Sequence, residues 1–110
     1  MSESAKRQLW EAIENRRDEI YRIGDVVWQR PETGFREENT SRIAQETFGE
    51  LGLPYRSGLA ITGVRADWDS GKPGPRVAVF GELDSILLAS HPAADPATGA
   101  AHACGHHAQF

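Results

Sequence analysis

The segment RVAVFGELD, residues 76–84, carries the strongest strand signal in the sequence. Four of its first five side chains are apolar, and three of these are β-branched or aromatic, which predicts a strand buried on both faces. Glu82 and Asp84 follow directly, two positions apart. Carboxylates at the carboxyl end of a strand stand where open α/β sheets usually place functional residues.

A second strand is predicted upstream of the first. Residues 61–68, ITGVRADW, alternate loosely between apolar and polar side chains. The run SGKPGP at 70–75 is dense in turn-forming residues and separates the two segments. We therefore expect residues 61–68 and 76–80 to pair as a hairpin with a wide turn.

Two amphipathic helices are predicted before the strands. One long helix over residues 5–29 ends before Pro31, because the residue preceding a proline is pushed out of the α region. Its apolar stripe, at spacings of three, four and seven, is flanked by aromatic side chains expected to pack in the core. The stripe is Leu9, Ile13, Ile20, Gly24 and Val27, and the aromatics are Trp10, Tyr21 and Trp28. A second helix spans residues 37–51, with Gly52 at the position of a left-handed C-cap.

The order is helix, helix, strand, strand and then a long Ala/Pro/Asp-rich loop from Ser85 to Ala101. This order predicts an α/β fold with two N-terminal helices, a β-hairpin and a long loop. The 110 residues suffice for one small domain at most. A loop of that length inside a compact domain is typically functional or disordered, and we expect His91 to be exposed in it. Two strands leave unpaired edges and a bare face, so self-association is a further expectation.

The charge balance limits the partners. Twelve basic and sixteen acidic residues give a net charge of −4 and a pI near 5.5, which disfavours a nucleic-acid or anionic-membrane partner. No apolar stretch approaches the roughly 18 residues of a membrane span, and no signal peptide is visible, so we expect the cytoplasm. The only cysteine, Cys104, is expected to be a reduced thiol.

The stretch HACGHHAQF at 102–110 concentrates metal-binding side chains. In an extended backbone Cys104 and His106 would point the same way, and a thiolate with an imidazole suits zinc. Gly105 between them permits unusual dihedral angles. The alternative is a small buried cysteine beside surface histidines. Nucleophilic catalysis by Cys104, activated by one of the three nearby histidines, is a further alternative.

Glu82 and Asp84 also allow two interpretations. They share a face at strand spacing, so they would either orient a metal-bound histidine or help to hold an ion. Alternatively, they are solvated acids that cap a strand.

Together these pieces resemble the N-terminal segment of the M20 metallopeptidase and amidohydrolase family, in its aminoacylase-like branch. That branch contains aminobenzoyl-glutamate, N-acyl-amino-acid and indole-acetyl-amino-acid hydrolases. The resemblance covers nearly all of this chain but only about the first quarter of a typical member, and HACGH after an acidic strand end is its most specific motif. The matching stretches are RPETGFREENTSRIAQETFGELG (30–52), TGVRA (62–66), VAVFGELDSI (77–86) and GAAHACGHHAQ (99–109).

The resemblance implies an activity and a metal centre. Family members bind two divalent ions, zinc or manganese here, that share a water, and a downstream glutamate deprotonates this water for attack on an amide carbonyl. Cys104 and His106 match the metal-binding Cys-Gly-His pair. Asp84 matches the acidic position that supports the metal site, and Glu82 is a neighbouring acid of less defined role. The implied substrates are N-acyl amino acids or similar small amides.

Two departures from the family pattern affect this expectation. The Cys-Gly-His triplet is usually followed by Asp or Asn, whereas His107 follows it here. His107 and His102 are expected to support the metal site, where either would add a third ligand to Cys104 and His106. The general base, the remaining ligands and the lid or dimerisation domain would lie downstream of Phe110. Residues 1–110 are therefore expected to be the N-terminal part of a zinc-peptidase-like catalytic domain, inactive alone. The alternatives are a short metal-binding module that a partner completes, and a segment with no function of its own.

Overall fold

A computed structural model describes all residues, 1–110. Three helices come first: α1 (Glu3–Glu14), α2 (Arg17–Trp28) and α3 (Glu38–Glu50). Strands β1 (Tyr55–Leu59) and β2 (Gly63–Ala66) form an antiparallel hairpin, and β3 (Ile86–Leu87) and β4 (Ala100–Ala101) form a second antiparallel pair. A short helix, α4 (His106–Gln109), follows. The mixed α/β class, with N-terminal helices and then a hairpin, is confirmed.

The single helix predicted over residues 5–29 is wrong, because two helices occupy this segment. The amide of Arg16 donates to the Ile13 carbonyl at 3.0 Å, which tightens the last turn of α1 and ends it. Asn15 is a weak helix former at this break. Asp18 and Glu19 then lie in the first turn of α2, where acids stabilise a new helix N-terminus. As a result α1 buries no side chain, and Val27 is the only buried residue of α2.

Helix α3 agrees with its predicted range to within one residue at each end. Its first amides are bound by a residue that precedes the helix. The Glu32 carboxylate accepts hydrogen bonds from the Asn39 amide at 2.7 and 2.9 Å and from the Thr40 amide at 3.2 Å. Gly52 adopts φ +68° just after the helix, which confirms the left-handed C-cap.

The hairpin exists, but one of its predicted strands is wrong. β2 pairs with β1, in the register Tyr55↔Ala66, Arg56↔Arg65 and Leu59↔Gly63, and not with residues 76–80. A short turn brings β1 and β2 together, and it places Ala60 and Ile61 at positive φ. Positive φ is sterically costly for a β-branched residue such as Ile61, so the tight turn holds it there.

Residues 76–80 do not form a strand, although they carry the strongest strand signal. Their side chains are exposed instead of buried, with Val79 94% exposed. Strand propensity measures how well a residue fits a pleated, half-buried surface. No strand of this chain pairs with the segment, so that surface is not formed here.

The long loop is closed and ordered by local hydrogen bonds. β3 and β4 pair across it, and the Asp95 amide donates to the Ala100 carbonyl at 2.8 Å. At its start Ser85 binds Glu32 twice, since its amide (2.7 Å) and its hydroxyl (2.9 Å) both donate to the Glu32 carbonyl. None of the helices is long and apolar enough to cross a membrane.

Candidate metal site

His106 lies between two carboxylates. Its Nδ1 is 2.9 Å from Asp84 Oδ1 and 3.0 Å from the Asp84 carbonyl oxygen, and its Nε2 is 3.1 Å from Glu82 Oε2. When both ring nitrogens donate, the imidazole is in its protonated form. The structure thus brings together three of the predicted site residues.

Two backbone features place these groups. Gly105 adopts φ +84°, and this left-handed turn begins α4, so His106 is the first helical residue. Gly81 lies against the end of α4, where a Cβ would be 3.3 Å from the Gln109 carbonyl oxygen. Ser85 is fixed to Glu32. The segment between Gly81 and Ser85 therefore carries Glu82 and Asp84 past the His106 ring.

Asp84 shifts the pKa of His106. Burial alone would lower the pKa of His106, but the hydrogen bonds and the charge of Asp84 raise it above its ordinary value, and Glu82 adds in the same direction. A carboxylate bound to one imidazole nitrogen also fixes the ring's orientation.

Cys104 precedes the turn at Gly105 that leads into this cluster. Its side chain is exposed and forms no disulfide. The extended backbone that would align Cys104 with His106 is not present, because Gly105 turns the chain between them. No group of three or more His, Cys, Asp or Glu side chains has the arrangement needed to hold a metal ion as the side chains stand.

His102 and His107 form a second cluster, against Trp28. Their ring centres are 5.3 Å apart, and those of Trp28 and His107 are 4.7 Å apart. His102 stacks on Trp28 at 6.5 Å and 23°. Burial, followed by the nearby His107, lowers the pKa of His102 below its usual value, which favours a neutral ring.

The donors around His106 fit a divalent ion in part. A histidine whose Nδ1 is bound to a carboxylate presents Nε2 to a metal in many protein sites. Glu82 Oε2 beside Nε2 is an oxygen donor that zinc and manganese accept. When an ion binds, it has to replace the direct contact between His106 Nε2 and Glu82 Oε2 or lie between the two atoms.

Three residues that position the two clusters carry no functional signal in the sequence. Trp28 belongs to the aromatic side chains predicted to pack in the core, and no functional role is predicted for Glu32. Ser85 was assigned only to the start of a loop. No local pattern identifies Glu32 as a helix cap, because it lies seven residues before Asn39, whereas a capping box has a spacing of three.

Comparison with known proteins identifies relatives over most of the chain. The chain is 36% identical over 92 residues to IAA-amino acid hydrolase ILR1-like 6 of Arabidopsis thaliana. The aligned segment covers 81% of this chain and 20% of the relative. It is 34% identical over 92 residues to YhaA of Bacillus subtilis, a protein named as an amidohydrolase, with 81% and 23% covered. It is 30% identical over 93 residues to thermostable carboxypeptidase 1 of Saccharolobus solfataricus, with 81% and 24% covered.

No protein-family model and no solved structure matches the chain. The chain spans about a quarter of the length of the curated relatives it matches. The relatives' names nevertheless agree with the activity class that the motifs indicate. They confirm the resemblance of this chain to a segment of the M20 metallopeptidase and amidohydrolase family.

Proposed function

We propose that these residues form one side of the metal centre of a hydrolase that cleaves amide bonds in N-acyl amino acids or similar small amides. The observation that carries the proposal is the His106 ring held by Asp84 through Nδ1, with Glu82 at Nε2. The relatives' names, which include amidohydrolase, IAA-amino acid hydrolase and carboxypeptidase, support the reaction class. Since the chain spans about a quarter of their length, we assign the activity to a longer polypeptide that contains these residues.

The residues of this chain would hold a divalent ion, Zn²⁺ or Mn²⁺, and two such ions would complete the centre. A divalent ion held there would supply Lewis-acid chemistry, polarising an amide carbonyl and lowering the pKa of a water. Asp84 keeps the His106 ring in one orientation and holds the Nδ1 proton, so that Nε2 is the ligand atom. Glu82 would supply a carboxylate oxygen to the same ion. Cys104 would add a thiolate if the backbone at Gly105 rotated to bring it to the same side as His106. His102 and His107 pack against Trp28 near these ligands.

Calorimetric titration of zinc into the chain tests the metal assignment. Asp84→Asn keeps the size of the side chain but removes its charge, and should weaken binding by roughly 10–100-fold, as loss of a ligand-orienting partner does elsewhere. His106→Asn should weaken it further. Asp95→Asn is the matched control, because Asp95 is an acid in the loop and binds only its own turn. Equal affinity for all three variants would contradict the assignment.

A second measurement tests the reaction. The natural gene product that contains these residues should hydrolyse N-acyl amino acids, and Cys104→Ala should abolish that activity. Full activity of the Cys104→Ala protein would contradict the role of Cys104 and leave that of His106 open to the calorimetric test.

The second candidate function is a metal-binding module without catalysis, completed by another copy of the chain. The exposed apolar segment around Val79 favours it, together with the open groove of about 680 Å³ that this segment forms with α3 and β2. This candidate requires a dimer that binds zinc, which sedimentation equilibrium with and without zinc would detect. A monomer under both conditions would exclude it. For either function the cytoplasm remains the proposed location.

A further inference from the structure

Two imidazoles, His102 and His107, lie together against the ring of Trp28. His102 follows β4 and is only 4% exposed. His107 lies in α4, which packs against α2 where Gly24 has no side chain and leaves the His107 carbonyl oxygen 3.5 Å from the position of a Cβ. These two packing contacts hold the rings 5.3 Å apart, centre to centre.

The nitrogens of this pair lack partners. Both ring nitrogens of His102, and Nδ1 of His107, are buried and make no hydrogen bond. The Val27 carbonyl lies near the His102 ring but outside hydrogen-bond geometry. A buried polar group without a partner is costly and uncommon in proteins, so three such nitrogens on adjoining rings indicate a missing ligand.

We propose that His102 and His107 jointly bind a transition-metal ion, at a position separate from the ion at His106. Imidazole nitrogens suit zinc, copper and nickel. An ion about 2.0–2.1 Å from one nitrogen of each ring, in tetrahedral geometry, places the ring centres roughly 5 Å apart. The observed 5.3 Å agrees with that spacing. Water completes the coordination of the ion, because no third protein ligand converges on the pair.

The neighbouring histidines do not compete for this role. His106 has both nitrogens on carboxylates. His91 also contacts Trp28, edge to face at 6.3 Å, but its Nδ1 accepts a hydrogen bond from the Ala93 amide at 3.1 Å. The His102–His107 pair depends on His107, at the position where the resembled family usually has Asp or Asn. The site is therefore a property of this chain, and it goes beyond the proposed amide hydrolysis.

Trp28 reports on this position directly. Trp10 and Trp68 are 75% and 77% exposed, so Trp10→Phe and Trp68→Phe leave Trp28 as the only tryptophan with little effect on the fold. Copper(II) titrated into this variant should quench Trp28 fluorescence, and the quenching should saturate when the His102–His107 position is filled. His107→Asn should weaken the quenching at least roughly tenfold, since even an outer-shell partner of a metal costs that much. His91→Asn, the matched control on the same tryptophan, should leave it unchanged.

A zinc titration of the unsubstituted chain, followed by NMR of the histidine ring nitrogens, covers the case in which His107→Asn does not fold. The resonances of His102 and His107 should shift together and saturate together. Absence of saturable quenching, or shifts confined to His106, would overturn the proposal. Quenching that survives His107→Asn but disappears in His106→Asn would also overturn it, and would leave the proposed function at His106 supported.

Discussion

Gly63 at the closed end of the hairpin faces the carbonyl oxygen of Leu59, and a Cβ on Gly63 would lie 2.5 Å from that oxygen. The contacting oxygen belongs to the Leu59 backbone and not to the end of a flexible side chain, so it cannot easily move away. Gly63→Ala should therefore destabilise the chain by about 1–3 kcal/mol, the usual range for overpacking. Urea denaturation followed by circular dichroism measures this loss.

Gly49→Ala is the control for that substitution. Gly49 lies inside α3, and nothing is within 4 Å of the position of its Cβ. Alanine there should raise the free energy of unfolding by about 0.5–1 kcal/mol through helix propensity. If both substitutions shift stability in the same direction, the close approach of Leu59 to Gly63 is not what makes glycine necessary.

Asp95 gives the loop an acid-sensitive contribution to stability. The backbone amide and then the hydroxyl of Thr98, with the Ala97 amide, donate to its carboxylate and lower the pKa of Asp95 below its usual value. A pKa lowered by folding stabilises the native state above the unfolded pKa of about 3.9, and the contribution disappears as the pH falls through the lower native pKa.

Asp95→Asn should accordingly flatten the loss of stability below about pH 4, because the amide oxygen accepts the same bonds without titrating. Thr98→Val, which removes only the hydroxyl donor, should flatten it in part. Thermal unfolding between pH 3 and pH 6 provides the comparison. An unchanged pH profile in both variants would show that the Asp95 turn is not maintained in solution.

At the scale of elements, Glu32 joins the start of α3 to the segment that leads into the candidate metal site. Its carboxylate binds the first amides of α3, and its carbonyl oxygen binds Ser85, the residue after Asp84. One residue thus connects a helix N-terminus with the segment that carries the acids.

Glu32→Ala should cost about 0.5–2 kcal/mol of stability, as loss of a helix N-cap does. Glu38→Ala serves as its control, since Glu38 lies in the first turn of α3 but is exposed and makes no side-chain hydrogen bond. Its loss should cost only about 0.3–1 kcal/mol, through the helix dipole. Chemical denaturation of the two variants tests the difference, and equal losses would assign both effects to charge alone.

At the scale of the molecule, the chain is extended and has a small core. Only 11 of 110 residues are buried, and the accessible surface is 8476 Å², where a compact chain of this mass exposes roughly 6000 Å². The radius of gyration is 16.1 Å, against about 13 Å for a compact domain of this length. Large apolar side chains around Val79 contribute to this excess surface.

Substitution of two valines should therefore change stability by very different amounts. Val79→Asp should change stability by less than about 0.5 kcal/mol, the usual bound for exposed positions, and should reduce binding of an apolar dye. Val27→Ala should cost on the order of 2 kcal/mol, because Val27 is fully buried. Denaturation and dye fluorescence measure both effects. A large loss in Val79→Asp would mean that residues 76–80 are packed in solution.

The sequence by itself determined the features that depend on local spacing. The α3 stripe and its Gly52 cap, the helical character of residues 5–28 and the grouping of Glu82 and Asp84 all follow from short-range periodicity and dihedral preference. The HACGH motif also indicated a resemblance to amidohydrolases, which the relatives confirm. Such features need no distant partner, so a single sequence is enough to predict them.

Only the tertiary structure decided which segments meet. Residues 76–80 have strong strand propensity but no partner strand, whereas β1 was not predicted and pairs with β2 across a tight turn. The placement of Asp84 and Glu82 on opposite sides of the His106 ring, 22 or more residues away in sequence, depends on the left-handed Gly105 and on the anchoring of Ser85. Pairing and convergence are set by contacts between distant residues, which local propensity does not encode.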